Sequence, residues 1–133
     1  MKKKTYPSRY PIKVPFSRAV VVGDLVFVSG CSGQTLETFH VSSDDVVEQT
    51  EVALDKIRGA LEEAGTSMDN IVKTVLYLIR MEDYPRVEEK RQQYYHKYAP
   101  SLIEEPPADT LIGVAGLHEP DMLVEIDATA IMP

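Results

Sequence analysis

The segment Met122–Ile131 constrains the fold most strongly, because its residues alternate strictly between two kinds. One set is apolar throughout and consists of Met122, Val124, Ile126, Ala128 and Ala130. The other set has two carboxylates at its centre and consists of Leu123, Glu125, Asp127 and Thr129. A period of two places the two sets on opposite faces of a β-strand. The segment therefore predicts a strand in a sheet that has one buried face.

Four further segments predict the remaining strands, and one predicts an extended arm. Arg18–Val22 and Leu25–Ser29 are rich in β-branched residues and flank a Gly-Asp pair, which is typical of a hairpin. Ile71–Arg80 and Thr110–Ala115 have the same β-forming composition. Residues 1–15 contain three prolines and are predicted to form an extended N-terminal arm.

Two segments have the spacing of amphipathic helices. The first opens at Ser42–Asp45, which resembles a capping box, and ends at Gly65, the glycine expected after a last helical turn. The second begins near Asp83 or Tyr84, with a proline tolerated in its first turn. The stretch from Pro100 to Pro107 is predicted to be a loop.

The resulting element order, β-β-α-β-α-β-β, predicts an α+β fold with a single mixed β-sheet and two helices packed on one face. Residues 1–133 are expected to form one domain. The second face of the sheet is left uncovered and is still substantially apolar. Because an exposed apolar sheet face normally marks an interface, we expect a homo-oligomer whose sheets pack on one another.

Charge and composition narrow the function classes. The chain has 14 Lys and Arg against 21 Asp and Glu, a formal net charge of −7 that disfavours nucleic acid and anionic membranes as main partners. No apolar run approaches the roughly 20 residues of a membrane span, and no apolar segment follows the basic start as in a secretory signal. The single cysteine excludes an internal disulfide and fits a reducing compartment. We expect a cytoplasmic protein.

Several polar residues are candidates for chemistry. Glu125 and Asp127 point to the same side of a strand, where they suit acid–base catalysis or, equally, salt bridges in an oligomer. Cys31 follows a strand within a Gly-Cys-Ser-Gly turn and is either a nucleophile or a small packed residue. Arg18 and Arg80 lie in strands and suit either an anionic ligand or ordinary ion pairs. The three histidines lack metal-ligand spacing, so no metal site is expected.

Four stretches together resemble the RidA (YjgF-type) family of reactive intermediate deaminases, in the family's order and spacing. They are PFSRAVVVGDLVFVSG (Pro15–Gly30), ALEEAGTSMDNIVKTVLYL (Ala60–Leu78), PPADTLIGVAGL (Pro106–Leu117) and LVEIDATA (Leu123–Ala130). The resemblance implies a chorismate-mutase-like subunit and a homotrimer with a central barrel and a small-molecule cleft at each subunit interface. It also implies cofactor-free hydrolysis of enamines and imines released by pyridoxal-phosphate enzymes.

Carried over residue by residue, the resemblance makes Glu125 the residue that positions the attacking water. Ser29 and Gly30 match the turn that lines the family's cleft, and Cys31 belongs to an SGC-x-G variant of that turn. Phe16 replaces the family's tyrosine. These residues, together with Arg18 and Asp109, are the predicted ligand-binding set.

Asp109 stands where the resemblance expects the arginine that holds a substrate carboxylate. The reversed charge would repel a desolvated carboxylate by several kcal/mol. The sequence therefore predicts poor activity on 2-imino acids, a gain on substitution of Asp109→Arg, and a branch of the family with a different substrate. Arg18 or Arg80 is the candidate replacement for the missing arginine.

Three functions follow as hypotheses. The first is a cofactor-free hydrolytic deaminase of an enamine- or imine-type metabolite. The second is a non-catalytic, ligand-binding or regulatory trimer. The third, an endoribonuclease or translation inhibitor, ranks last because the charge is −7 and no basic stripe is present.

Overall fold

A six-stranded mixed sheet forms the framework in the computed structural model, which describes residues 2–133. The strands are β1 (Lys3–Tyr6), β2 (Ala19–Val22), β3 (Leu25–Ser32), β4 (Ile71–Leu78), β5 (Ala108–Gly113) and β6 (Val124–Ile131). Their spatial order is β1-β2-β3-β6-β4-β5. The β4–β5 pair is parallel and every other neighbouring pair is antiparallel.

The helices are α1 (Val46–Ala64), α2 (Tyr84–Tyr98) and the short α3 (Ser101–Glu104). Two 3₁₀ turns, Met68–Asn70 and Met81–Asp83, precede β4 and α2. Helix α1 packs on β3 and β6, and α2 packs beside α1. The predicted α+β fold, with a mixed sheet and two main helices on one side, is confirmed.

The boundaries differ from the sequence predictions at several points. Part of the N-terminal arm is a strand, because Lys3–Tyr6 pairs antiparallel with β2. Asp45 caps α1 by accepting a hydrogen bond from the amide of Val47, so Ser42 lies outside the helix. The predicted loop after α2 contains α3, whose Leu102 is buried. The prediction for Gly65 is confirmed, since its φ of 96° is the left-handed conformation that ends α1.

The two faces of the sheet are chemically different, as the alternation in β6 predicts. Val124, Ile126, Ala128 and Ala130 are buried against the helices, whereas Glu125 and Asp127 lie on the uncovered face and are half-buried. Large apolar side chains are exposed on that uncovered face, among them Leu25, Phe27, Ile112 and Ile131. The uncovered face therefore has the character of an interface.

An irregularity in the β3–β6 ladder shapes the region around Gly30. The pairing runs from Leu25 to Val28, is interrupted, and resumes with Cys31 opposite Ile126. Such a bulge bends a strand and re-aims its side chains, and bulges are common beside functional sites. Here the interruption places Ser29 and Gly30 beside the acidic positions of β6.

Candidate functional site

Glu125 and Asp127 converge on the backbone of Gly30. A Cβ atom at position 30 would lie 2.7 Å from Oε2 of Glu125 and 2.9 Å from Oδ1 of Asp127. Any side chain at this position would displace the carboxylates, so the glycine provides the space that Glu125 occupies. Tyr77 of β4 donates its hydroxyl hydrogen to Oδ2 of Asp127 at 2.9 Å and fixes the second carboxylate.

The environment of Glu125 favours its protonated form. Burial raises the pKa of Glu125, the negative charge of Asp127 raises it further, and the nearby Lys56 and His118 oppose the shift. A carboxyl group with a raised pKa can exchange protons closer to neutral pH than an ordinary glutamate. This is the property required of a general acid or base that handles a water molecule.

A groove of about 660 Å³ opens beside Glu125. The N-terminal arm, the β3 bulge and the segment before β6 form its walls. Its lining includes Tyr10, Phe16, Ser29, Gly30, Phe39, His118, Met122 and Glu125. The size and the mixed apolar and polar lining suit a small organic molecule.

Aromatic rings form one side of this groove. The ring of Phe39 lies 4.4 Å from that of Tyr10 and 5.9 Å from that of His118, measured between centroids. Phe39 has a φ of 62°, a left-handed conformation that is uncommon for a residue other than glycine. Gln34 stabilises this turn by donating to the carbonyl oxygen of Phe39 at 3.0 Å.

Gln49 of α1 positions the chain that leads into β6. Its side-chain amide donates to the carbonyl oxygens of Ser43 and Asp121, at 2.8 and 2.9 Å, and its Oε1 accepts from the amide of Leu123 at 2.9 Å. Gln49 is only 1% exposed, so these bonds satisfy a buried polar group. They hold β6, and with it Glu125, in register against α1.

A small cavity of about 20 Å³ continues from the groove, with which it shares Tyr10, Phe16, Ser29 and Gly30. The rest of its lining consists of Ser8, Arg9, Arg18, Cys31, Leu36 and Lys56. Burial raises the pKa of the Cys31 thiol to about 11, so it is protonated at neutral pH. Its Sγ donates to the carbonyl oxygen of Ser29 at 3.3 Å. This environment favours a packed thiol over a nucleophile.

The two candidate arginines are in different places. Arg18 lines the small cavity, donates from Nη1 to Glu63 at 3.0 Å and lies over Gly59, which lacks the side chain that would block it. Arg80 is exposed and lies 3.4 Å from Asp83, within the turn before α2. Of the two, only Arg18 lies at the small cavity that adjoins the groove.

Asp109 does not join the other predicted site residues within one chain. In the strand register it lies beside Thr74, on the helix-covered face, whereas Glu125 lies on the uncovered face. Arg91 of α2 donates to both of its carboxylate oxygens at 3.0 Å, and Thr74 donates at 2.7 Å. These bonds lower the pKa of Asp109 despite its partial burial. Within one chain, the negative charge of Asp109 is therefore paired with Arg91.

Among the residues that the sequence analysis missed are Tyr10, which lines both the groove and the small cavity, and Lys56, which lines the small cavity. Nζ of Lys56 donates to Oη of Tyr10 at 2.9 Å, and Lys56 is 5% exposed. The sequence does contain a signal for Lys56. This lysine follows Ala53 by three positions and precedes Ala60 by four, which places it on the buried face of α1. Tyr10 gave no local signal, because it lies in an irregular stretch whose position depends on the rest of the fold.

Within residues 2–133, no three His, Cys, Asp or Glu side chains are arranged to hold a metal ion. None of the helices in this part of the chain is both long and apolar enough to cross a membrane. The fold and the site together define a class, that of small α+β proteins with a carboxylate-containing groove beside a bulged strand.

Comparison with known proteins identifies the family. Residues 8–132 match the family model described as Endoribonuclease L-PSP. The chain is 33% identical to a RutC family protein of Pyrococcus abyssi over 116 residues, covering 87% of this chain and 85% of the relative. The chain therefore belongs to the Endoribonuclease L-PSP family, also called the YjgF or RidA family, as the sequence motifs predict.

Solved structures agree with the fold. The YjgF gene product of E. coli has a TM-score of 0.85 and 26% identity, with 98% of this chain and 99% of that one covered. E. coli TdcF with bound serine has a TM-score of 0.86 and 25% identity, with 99% and 100% covered. A relative from Dermatophagoides farinae, 24% identical over 89% of this chain and 86% of its own length, is named 2-iminobutanoate/2-iminopropanoate deaminase.

Proposed function

We propose that this protein is a cofactor-free hydrolase that deaminates an imine- or enamine-type small molecule in the groove beside Glu125. The observation that supports it most directly is the half-buried Glu125 carboxyl, whose pKa is raised and which faces a groove of suitable size. The relative named as an imine deaminase and the neighbour with bound serine support the reaction class and the small ligand.

In this proposal Glu125 acts on a water molecule. Water attacks the carbon of a protonated imine, and the glutamate accepts the proton that the water releases. Glu125 returns this proton to the nitrogen of the resulting carbinolamine. It then accepts the hydroxyl proton as the C–N bond breaks and ammonia leaves, and passing that proton to ammonia restores the carboxylate. An enamine enters the same sequence after protonation of its carbon. One water is consumed, and one carbonyl compound and one ammonia are formed.

The remaining predicted residues shape the ligand site. The Phe16 ring forms an apolar wall, with Gly30 leaving room for the ligand beside Glu125. The Ser29 hydroxyl is already engaged, because it donates to the carbonyl oxygen of Ser17 at 2.6 Å. Ser29 and Cys31 thus support the turn. Asp109, on the edge strand β5, would reach a ligand only in the cleft of a neighbouring subunit.

We also propose that the molecule is a homotrimer in which a neighbouring subunit closes the groove. The uncovered sheet face, with Leu25, Phe27 and Ile131 each more than 40% exposed, supports this assembly. The groove opens on the same side as that face, because Glu125 lies on it.

The test is deamination of imines generated in place by an amino-acid oxidase, from aliphatic, aromatic and hydroxylated amino acids. Semicarbazide trapping measures the remaining imine, and ammonia release is followed in parallel. We expect the protein to accelerate imine loss for at least one class. Glu125→Gln should reduce the rate about 100-fold or more, while Glu104→Gln, on the exposed helix α3, should not.

The alternative is a ligand-binding trimer without catalysis. Loss of the family's tyrosine hydroxyl at Phe16 favours it, since one polar contact to a ligand is missing. Saturable binding of the corresponding 2-oxo acids without acceleration for any imine would establish this alternative and overturn the deaminase proposal.

A further inference from the structure

Lys56 has an unusual position for a lysine. Its side chain arises from the middle of α1, is 5% exposed and reaches the small cavity between the arm and the β3 bulge. Within residues 2–133 its hydrogen-bond partner is the hydroxyl of Tyr10, and it forms no ion pair with a carboxylate there. A buried ammonium that lacks a paired anion is energetically costly, and proteins usually supply a counter-charge.

The cavity lacks this counter-charge and connects to the groove. The other two cations at the cavity, Arg9 and Arg18, both pair with Glu63. Glu125 is near enough to interact electrostatically with Lys56, but it forms no direct bond with it. The cavity's 20 Å³ is room for about one ordered water molecule or an oxygen of a ligand. Since the cavity shares four residues with the groove, a ligand beside Glu125 can extend into it.

We propose that Lys56 binds the anionic group of the ligand, a carboxylate, and so takes the role that the family assigns to the arginine replaced by Asp109. The inference rests on the proposed function only in taking the groove as the ligand site. In this proposal the cation that holds the ligand carboxylate is Lys56 of α1, and not Arg18 or Arg80. Nζ has two further N–H donors beyond the one directed at Tyr10, enough for a charge-assisted bond to a carboxylate oxygen.

This assignment has a consequence for the predicted substrate class. With Asp109 neutralised by Arg91 and Lys56 free to pair, the site accepts a ligand carboxylate. The expectation of poor 2-imino-acid activity, based on the reversed charge at Asp109, is then replaced by selectivity for anionic over neutral imines. The reacting carbon lies toward Glu125, and the carboxylate lies toward Lys56.

The test measures binding without turnover. Calorimetry or NMR titration compares 2-oxobutyrate with 2-oxobutyramide, which differ in charge and hardly in size. We expect the wild-type protein to prefer the anion. Lys56→Met should weaken 2-oxobutyrate binding at least about tenfold, as expected for loss of a hydrogen bond to a charged group, and leave 2-oxobutyramide unchanged. Lys90→Met, which removes an equal charge from the α2 surface, is the matched control.

A pH series tests the same group. Burial lowers the pKa of Lys56, so binding of 2-oxobutyrate should weaken as pH rises above neutrality, and Lys56→Met should abolish this dependence. Tyr10 and Cys31 stay neutral in that range, because burial raises their pKa values to about 12 and 11. The charged groups around Lys56 are Arg9, Arg18, Glu37, Asp55 and Glu125.

Two results would overturn the inference: equal affinity of the wild type for acid and amide, or unchanged 2-oxobutyrate affinity in Lys56→Met. Lys56→Gln serves as the second variant if the methionine variant does not fold. Failure of the proposed deaminase is a separate outcome, since anion binding through Lys56 then persists without any imine turnover.

Discussion

At the scale of single residues, the site depends on one glycine and two carboxylates. Gly30 leaves the space that Glu125 fills, and Asp127 stands beside Glu125 with its own position set by Tyr77. The alternation of β6 already indicates that both acids share a face. The role of Gly30 as their contact follows only from the bulge that brings it opposite them.

Gly30→Ala should therefore impair function more than stability. The added Cβ would lie 2.7 Å from the mobile end of the Glu125 side chain, which can rotate away at small cost. We expect an unchanged melting temperature within about 2 °C, a ΔΔG below roughly 0.5 kcal/mol, and loss of most imine turnover. Gly116→Ala, where no atom lies within 4 Å of the new Cβ, is the control. Full activity of Gly30→Ala would contradict the placement of Glu125.

Asp127→Asn should shift the pH dependence of Glu125. A neighbouring negative charge disfavours ionisation, so its removal lowers the pKa of Glu125 and moves the acidic limb of the rate profile to lower pH. Tyr77→Phe removes the hydrogen bond to Asp127 but keeps its charge, and should shift the limb less. The profile is measured between pH 4 and about 8. If the acidic limb of the rate profile is the same in Asp127→Asn as in the wild type, the charge of Asp127 does not influence the pKa of Glu125.

At the scale of elements, one polar contact joins α2 to the edge strand β5. Arg91 is 4% exposed, and Asp109 and Glu88 together neutralise its charge. Its Nε has no hydrogen-bond partner within the described residues. The positive charge of the Arg91 guanidinium thus depends on Asp109 for much of its compensation, and Asp109 stabilises the packing of α2 against the sheet.

Asp109→Asn should destabilise the protein by about 1–3 kcal/mol at pH 7, measured by chemical denaturation. This lies below the range of roughly 3–5 kcal/mol for breaking a fully buried pair, because Asp109 keeps 29% of its side chain exposed. Asp109→Arg should destabilise more, since it places a second cation beside Arg91. The double variant with Arg91→Met should lose less than the sum of the single changes.

The same pair sets a pH dependence of stability. The pKa of Asp109 is lower in the folded protein than its usual 3.8, so its contribution is complete above pH 3.8 and is lost as pH falls through the folded value. The stability difference between wild type and Asp109→Asn should therefore shrink below about pH 4. A difference that stays constant down to pH 2 would contradict the ion pair.

At the scale of the whole molecule, the uncovered sheet face exposes large apolar side chains that have no partner within the described chain. We expect sedimentation at about 45 kDa, three times the 14.9 kDa chain mass. Phe27→Asp, in the middle of this face, should dissociate the assembly, whereas Tyr98→Asp on α2 should not. Wild-type sedimentation as a monomer at micromolar concentration would exclude the trimer and leave the groove without its proposed neighbour.

Local sequence patterns are sufficient to predict the local architecture. Strand alternation, the Gly-Asp hairpin and the glycine stop of α1 all act over a few residues, where backbone geometry and side-chain period decide the outcome. The sequence also identified Phe16, Arg18, Ser29, Gly30, Cys31 and Glu125, and the structure brings these six together. They come from the segment between the arm and β2, from β3 and from β6. The motifs indicate the order of these segments along the chain, whereas the pairing of β3 with β6 is a finding of the structure.

Which charged side chains have partners depends on the tertiary fold. Arg91 and Asp109 are 18 residues apart, Lys56 and Tyr10 are 46 apart, and no local pattern reports such pairings. The short lysine-rich segment Lys3–Tyr6 likewise gives no local sign that it pairs with β2. This pairing depends on a sheet edge that exists only after folding. Charge compensation is a property of the packed interior, so the sequence showed the charged residues but not which of them remain available to a ligand.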